Sequence, residues 1–132
     1  MKNDVKGPVL VADDNAGIRD TTAAILRTVG YTVTEASDGE AALEELAQQT
    51  FDVALLDVRM PRRDGISVVE IFKSVPPPPV IVMVSAYECD AQMREHLDPR
   101  VFKYLKKPGP PKELIEAVGQ ALDAQRHFDV SE

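Results

Sequence analysis

Cysteine occurs once in the 132 residues, as Cys89, tryptophan is absent, and aromatic residues make up only 5%. A lone cysteine excludes an internal disulfide and fits a reducing compartment. With only two histidines, His96 and His127, it cannot assemble a Cys/His zinc site. No apolar run approaches the roughly 20 residues of a membrane span. The opening MKNDVKGP also lacks the apolar core of a signal peptide. A cytoplasmic chain with no membrane contact is expected. Basic charge is scarce too: 15 Lys and Arg against 22 Asp and Glu leave a net charge of −7. Direct nucleic-acid binding is thereby disfavoured, because it needs a basic face against phosphates.

What remains is an ordinary globular balance of 44% hydrophobic and 28% charged residues. The length suits one domain and allows a buried core without cross-links. A single domain over residues 1–132 is expected, with its core from about residue 8 to 126.

Two kinds of segment alternate. β-Rich runs stand at Val9–Ala12, Thr32–Ala36, Val53–Leu56, Val80–Val84 and, less clearly, Val101–Leu105. The third and fourth are apolar throughout, as central strands covered on both faces should be. Helical spacing joins Ile18, Thr22, Ile25, Leu26 and Val29, with Gly30 as a stop. A second stripe is Ala42, Leu43, Leu46 and Ala47, with Ser37 or Asp38 as the cap. Ile66, Val69 and Phe72 predict a third helix, Met93 and Leu97 a short fourth, and Leu114, Ile115, Val118, Ala121 and Leu122 a fifth. The run Pro76–Pro79 reads as a stiff connector. Five βα units in strict alternation predict an α/β fold, a parallel sheet with helices on both faces. Its ligand site belongs at the carboxyl ends of the strands.

Functional candidates stand there. The first strand runs into Asp13–Asp14 and the third into Asp57. One such aspartate usually caps a helix, but three converging carboxylates need a cation or shifted pKa values. Oxygen donors without His or Cys favour a hard cation such as Mg²⁺, which suits phosphoryl chemistry. Ser85 closes the fourth strand, and Lys107 follows the fifth, just before Pro108. A hydroxyl and an ammonium aimed at one point would stabilise phosphate oxygens.

The stretches VLVADDNAGIRD, ALLDVRMPRRDG, VIVMVSA and YLKKP carry a resemblance that spans nearly the whole chain. It resembles the receiver (CheY-like) domains of bacterial two-component response regulators, most specifically in DVRMPRRDG. The resemblance implies a flavodoxin-like strand order 2-1-3-4-5 and a phosphorylation-dependent switch that is not an enzyme in its own right. Asp57 would accept phosphoryl from the phosphohistidine of a sensor histidine kinase or phosphotransfer protein. Asp14, Asp57 and the backbone carbonyl of Arg59 would contact Mg²⁺, with Asp13 acting through water. Ser85 and Lys107 would hold phosphoryl oxygens, and Tyr104 would be the aromatic switch. Arg59 and Tyr87 would tune dephosphorylation, here towards a slow rate. The face of the fourth helix, fifth strand and fifth helix would meet a downstream protein, an output domain or a second copy. The Lys107–Pro108 bond is a candidate cis peptide by the same resemblance.

The chain departs from the family where Gly109, Pro110 and Pro111 follow Lys107–Pro108, in place of a common aromatic. Other readings fit less well. Aspartyl-phosphate hydrolases resemble the chain but carry a second Asp where Arg59 stands, and a cap insertion. A flavodoxin-like cofactor carrier would need a Ser/Thr/Gly-rich loop after the first strand, where Asp13–Asn15 stand. A passive docking domain would not need the full set of pocket residues.

Overall fold

Apolar strands and amphipathic helices take turns along the chain. The computed structural model describes residues 6–60, 62, 64–72, 79–85, 101–107 and 110–130. Its elements are β1 (Lys6–Ala12), α1 (Ala16–Thr28), β2 (Tyr31–Ala36), α2 (Gly39–Gln48), β3 (Val53–Asp57), α3 (Gly65–Phe72), β4 (Val80–Ser85), β5 (Val101–Lys106) and α4 (Pro111–Val130). All four strand pairings are parallel, in the order β2-β1-β3-β4-β5. The expected α/β architecture and strand order are both present. The predicted helix around Met93 and Leu97 lies outside the described residues, as do Pro61, Pro76–Pro78, Tyr87, Cys89, His96, Pro108 and Gly109. Among the described residues no helix is long and apolar enough to cross a membrane.

Strand parity divides the core in two. Val9, Val11, Val53, Leu55, Val80, Val82 and Leu105 bury against Leu26 of α1 and Val118 and Leu122 of α4. Leu10, Ala12, Ala54, Leu56, Ile81 and Met83 bury on the other face, against Leu46 of α2 and Val68 and Val69 of α3. Every residue of β3 is buried. A strand covered on both faces gains about 1.5–3 kcal/mol for each large apolar side chain, which is why β3 tolerates no polar alternation.

Asx side chains start three of the helices. Asn15 Oδ1 accepts the Ile18 N–H at 3.0 Å, and Asp38 Oδ1 accepts the Ala41 N–H at 2.8 Å. Asp64 Oδ1 accepts the Ser67 N–H at 2.8 Å. Of the two cap candidates for α2, Asp38 takes the role. Gly30, at φ 105°, ends α1 in the left-handed region that a side chain would resist.

Two details refine the pattern read from the sequence. Ile18, first in the helical spacing of α1, is 40% exposed. The first turn of α1 lies beyond the strand tips, so Ile18 faces a cleft between α1 and α4, and burial begins at Ala23. β5 pairs Val101 with Ile81 but Lys103 with Val82, so Phe102 is an extra residue and stays exposed. That irregularity resets the parity: Val101 and Tyr104, three apart, share one face.

Candidate functional site

The pairing of β1 with β3 sets Val11 beside Leu55 and Ala12 beside Leu56. Continuing the alternation by one step brings Asp13 and Asp57 side by side, on the face covered by α1 and α4. Lys107 follows Leu105 of the same face by two residues and reaches both. Its Nζ lies 2.6 Å from Asp13 Oδ2 and 3.0 Å from Asp57 Oδ2. Ser85 and Tyr104 take the opposite parity. Tyr104 packs half-buried with the cluster of Ile81 and Met83, and Ser85 is 1% exposed. A close bond joins the two halves, the Lys107 N–H donating to the Ser85 carbonyl at 2.7 Å.

Local bonds aim the carboxylates. Asp57 Oδ1 accepts the Arg59 N–H at 3.1 Å, which leaves Oδ2 to Lys107. Asp13 Oδ1 accepts the Asn15 N–H at 2.9 Å, and Asp13 donates its own N–H to the Ala36 carbonyl at 3.1 Å. The chain turns sharply after Asp57, and the Gly65 N–H donates to the Val58 carbonyl at 3.0 Å. A Cβ on Gly65 would overlap the Asp57 carbonyl oxygen, so α3 can start this close only from glycine.

The electrostatics are unequal. Burial raises the Asp57 pKa and the Asp13 charge adds to it, although Lys107 and the Arg59 N–H pull the other way. Burial alone would depress Lys107, but hydrogen bonds and charge from Asp13 and Asp57 outweigh it and raise its pKa. Lys107 thus gains from the pocket while Asp57 bears a net cost. The asymmetry follows from one ammonium being shared between two carboxylates.

Carboxylate oxygens of Asp13, Asp14 and Asp57 all lie within 4.8 Å of one another, Asp14 being exposed and the others buried. All-oxygen donors at this spacing fit a hard divalent cation. The site opens on a cleft of about 510 Å³ between α1 and α4, whose lining includes Asp13, Asp57, Lys107, Ile18 and Leu114.

The structure therefore brings Asp13, Asp14, Asp57, Ser85 and Lys107 to neighbouring strand tips, with the Arg59 backbone at Asp57. Tyr104 pairs with Met83, two residues before Ser85, and Tyr87 lies outside the described residues. Sequence reasoning missed two participants. Arg19 reaches back from α1 to the Asp13 carbonyl at 2.9 Å. Arg62, at φ 70°, ties the loop after β3 to Asp38 at 3.0 Å. The signal for Arg19 was an Asn cap followed four residues later by a long cation. For Arg62 it was a position two residues after Met60 in a tight loop.

Comparison with known proteins agrees with this geometry. Residues 9–119 match the family model described as the response regulator receiver domain. The chain is 37% identical over 119 residues to the gliding motility regulatory protein of Myxococcus xanthus, covering 87% of this chain and 15% of that one. It is 35% identical over 125 residues to the transcriptional regulatory protein PdtaR of Mycobacterium tuberculosis, covering 94% of this chain and 60% of that one. The chain thus spans less than two thirds of the length of these relatives. A CheY-like receiver domain from Methanospirillum hungatei superimposes with a TM-score of 0.85 at 28% identity, covering 94% of this chain and 98% of that one.

Proposed function

Because the chain belongs to the response regulator receiver domain family, the modules of phosphorylation-dependent two-component signalling, we propose that Asp57 is its phosphoryl acceptor. The observation that carries this is the convergence of Asp13, Asp14 and Asp57 within 4.8 Å, with Lys107 Nζ spanning two of them. Residues from about 8 to 126 act as one receiver domain in this reading. A carboxylate oxygen of Asp57 attacks phosphorus, an O–P bond forms, and the N–P bond to a donor imidazole breaks.

The surrounding residues make that attack feasible. Asp14, Asp57 and the Arg59 carbonyl would hold Mg²⁺, and Asp13 would contribute through a water. When bound, Mg²⁺ supplies the positive charge that lets an anionic nucleophile approach an anionic phosphoryl group. Lys107 exchanges a carboxylate partner for a phosphoryl oxygen, and the Ser85 hydroxyl takes another. The rigid strand tips hold these groups in position, so catalysis is mostly orientation and electrostatics, and it is confined to the domain's own aspartyl phosphate.

Tyr104, on the same face as Ser85, is the conformational reporter. Engagement of Ser85 biases the exposed surface around β5 towards a downstream protein, an output domain or a second copy. The donor is a sensor histidine kinase or phosphotransfer protein, and the setting is cytoplasmic. Arg59 and Tyr87 set a slow loss of phosphoryl.

Incubation with acetyl phosphate and Mg²⁺ tests the reading directly. Phosphoryl incorporation is expected in the unsubstituted protein and none in Asp57→Asn. Incorporation at an undiminished level in Asp57→Asn overturns it.

A further inference from the structure

Arg19 ties α1 both to the first acidic loop and to β2. Its Nη1 donates to the Asp13 carbonyl at 2.9 Å, and its Nε lies 3.4 Å from Glu35 Oε1. The side chain is only 17% exposed. Glu35 sits on β2 beside Val11, beneath α1, and its other oxygen pairs with Arg27 at 3.2 Å. Arg27 in turn donates to the Val33 carbonyl at 2.9 Å. Two arginines eight residues apart on α1 therefore clamp one carboxylate of β2, and the nearer one carries the clamp to the backbone of the acidic loop.

The loop is held from several sides. Asp13 donates to Ala36, Asn15 donates to Asp13 Oδ1, and the Arg19 N–H donates to the Asn15 carbonyl at 2.8 Å. Of these, the Arg19 side chain is what fixes the peptide plane between Asp13 and Asp14. That plane sets the direction in which both carboxylates leave the chain.

We propose that Arg19, anchored by Glu35, is a positioning residue that orients the Asp13–Asp14 loop for its divalent cation. The ion itself rests on the receiver reading above; the orientation of the loop does not. Charge and geometry oppose each other here, which makes the proposal decidable. A cation near a cation site repels the incoming ion, so losing Arg19 through charge alone would tighten Mg²⁺ binding. Losing the hydrogen bond that aims the ligands would weaken it, by about tenfold for a partner one step removed from the metal.

Mg²⁺ titration followed by calorimetry, with the full chain, separates the two. Arg19→Ala is expected to weaken Mg²⁺ binding about tenfold. Arg19→Lys, which keeps the repelling charge but not the fork that bridges carbonyl and carboxylate, should weaken binding at least as much as Arg19→Ala. Glu35→Gln should weaken binding less than Arg19→Ala. Unchanged or tighter binding in Arg19→Ala overturns the proposal. A second measurement needs no metal: amide exchange of Asn15 should quicken about tenfold in Arg19→Ala, while that of Leu10 stays as it was. If the unsubstituted protein fails to bind Mg²⁺, the functional reading falls. If Asn15 exchange is unaltered by Arg19→Ala, the positioning role falls alone.

Discussion

Two loops carry the acidic pocket, and they are held by partly different means. The loop after β1 is short and bonded along its whole length, by the Asn15 cap, the Asp13 side chain and the Arg19 guanidinium. The loop after β3 is longer and is held at its ends. Gly65 sits where any Cβ would meet the Asp57 carbonyl, and a left-handed Arg62 reaches across to Asp38 near the middle. Both loops carry hydrogen bonds; the first adds a guanidinium on its backbone, the second an approach that only glycine allows and an exposed ion pair. Asp57 itself is held as the last residue of a fully buried strand.

The contrast is broken most severely by adding one methyl group at the start of the helix that follows each loop. Gly65→Ala should destabilise the fold by about 3 kcal/mol, because the clash is with backbone that cannot step aside. Gly17→Ala, whose new Cβ meets only Asn15 Oδ1 at 3.4 Å, should be neutral or gain about 0.5–1 kcal/mol from helix propensity. Urea unfolding of both variants checks this, and equal effects would erase the distinction.

Removing the caps comes next. Asp38→Ala takes away both the α2 cap and the partner of Arg62, at a cost of about 1–2 kcal/mol, against about 1 kcal/mol for Asn15→Ala. The Asp38 pKa is lowered, first by the Ala41 N–H and then by Arg62, against burial. Its stabilisation is therefore present above the usual carboxylate range and is lost as pH falls through the lowered folded-state value. The gap between Asp38→Ala and the parent should close in acid, as measured by unfolding midpoints at several pH values.

A smaller effect separates backbone strain from ion pairing at Arg62. Arg62→Gly loses the pair but relaxes the left-handed backbone, whereas Arg62→Ala loses the pair and keeps the strain. Alanine should be less stable than glycine by about 1 kcal/mol. The ion pair itself, with Arg62 mostly exposed, contributes little. The smallest expected change is a rise in midpoint for Asp57→Asn without divalent cations. The raised Asp57 pKa means that its contribution is present below about pH 4 and lost as pH rises through the folded-state value. At neutral pH the carboxylate is a net cost, so asparagine should stabilise there and confer no gain in acid. Thermal melts at both pH values in chelator test the sign.

Most of the pocket was legible because strand tips are legible. Apolar runs ending at Ala12, Leu56 and Val84 point to Asp13, Asp57 and Ser85 without further help, and Lys107 follows the same logic. The resemblance to receiver domains then supplied strand order and roles that periodicity alone could not. Other features escaped for physical reasons. Ile18 has helical spacing, but periodicity says nothing about where a helix overhangs its sheet. β5 read weakly because Phe102 is an extra residue that flips the alternation partway along the strand. Arg19 and Arg62 act through backbone groups and distant carboxylates, contacts that depend on loop curvature rather than on sequence spacing.

Lys107 is attached to the sheet twice, by its N–H to Ser85 and by its ammonium to Asp13 and Asp57. Sliding β5 along β4 by one residue, a step of about 3.3 Å, would part at least one of those ties. The alignment of an edge strand is thereby inscribed in the charge balance at the far side of β3. An engineer who shortens or lengthens the Phe102 irregularity would be adjusting the electrostatics of the pocket from five residues away from Asp57's nearest cation, without touching a single charged group.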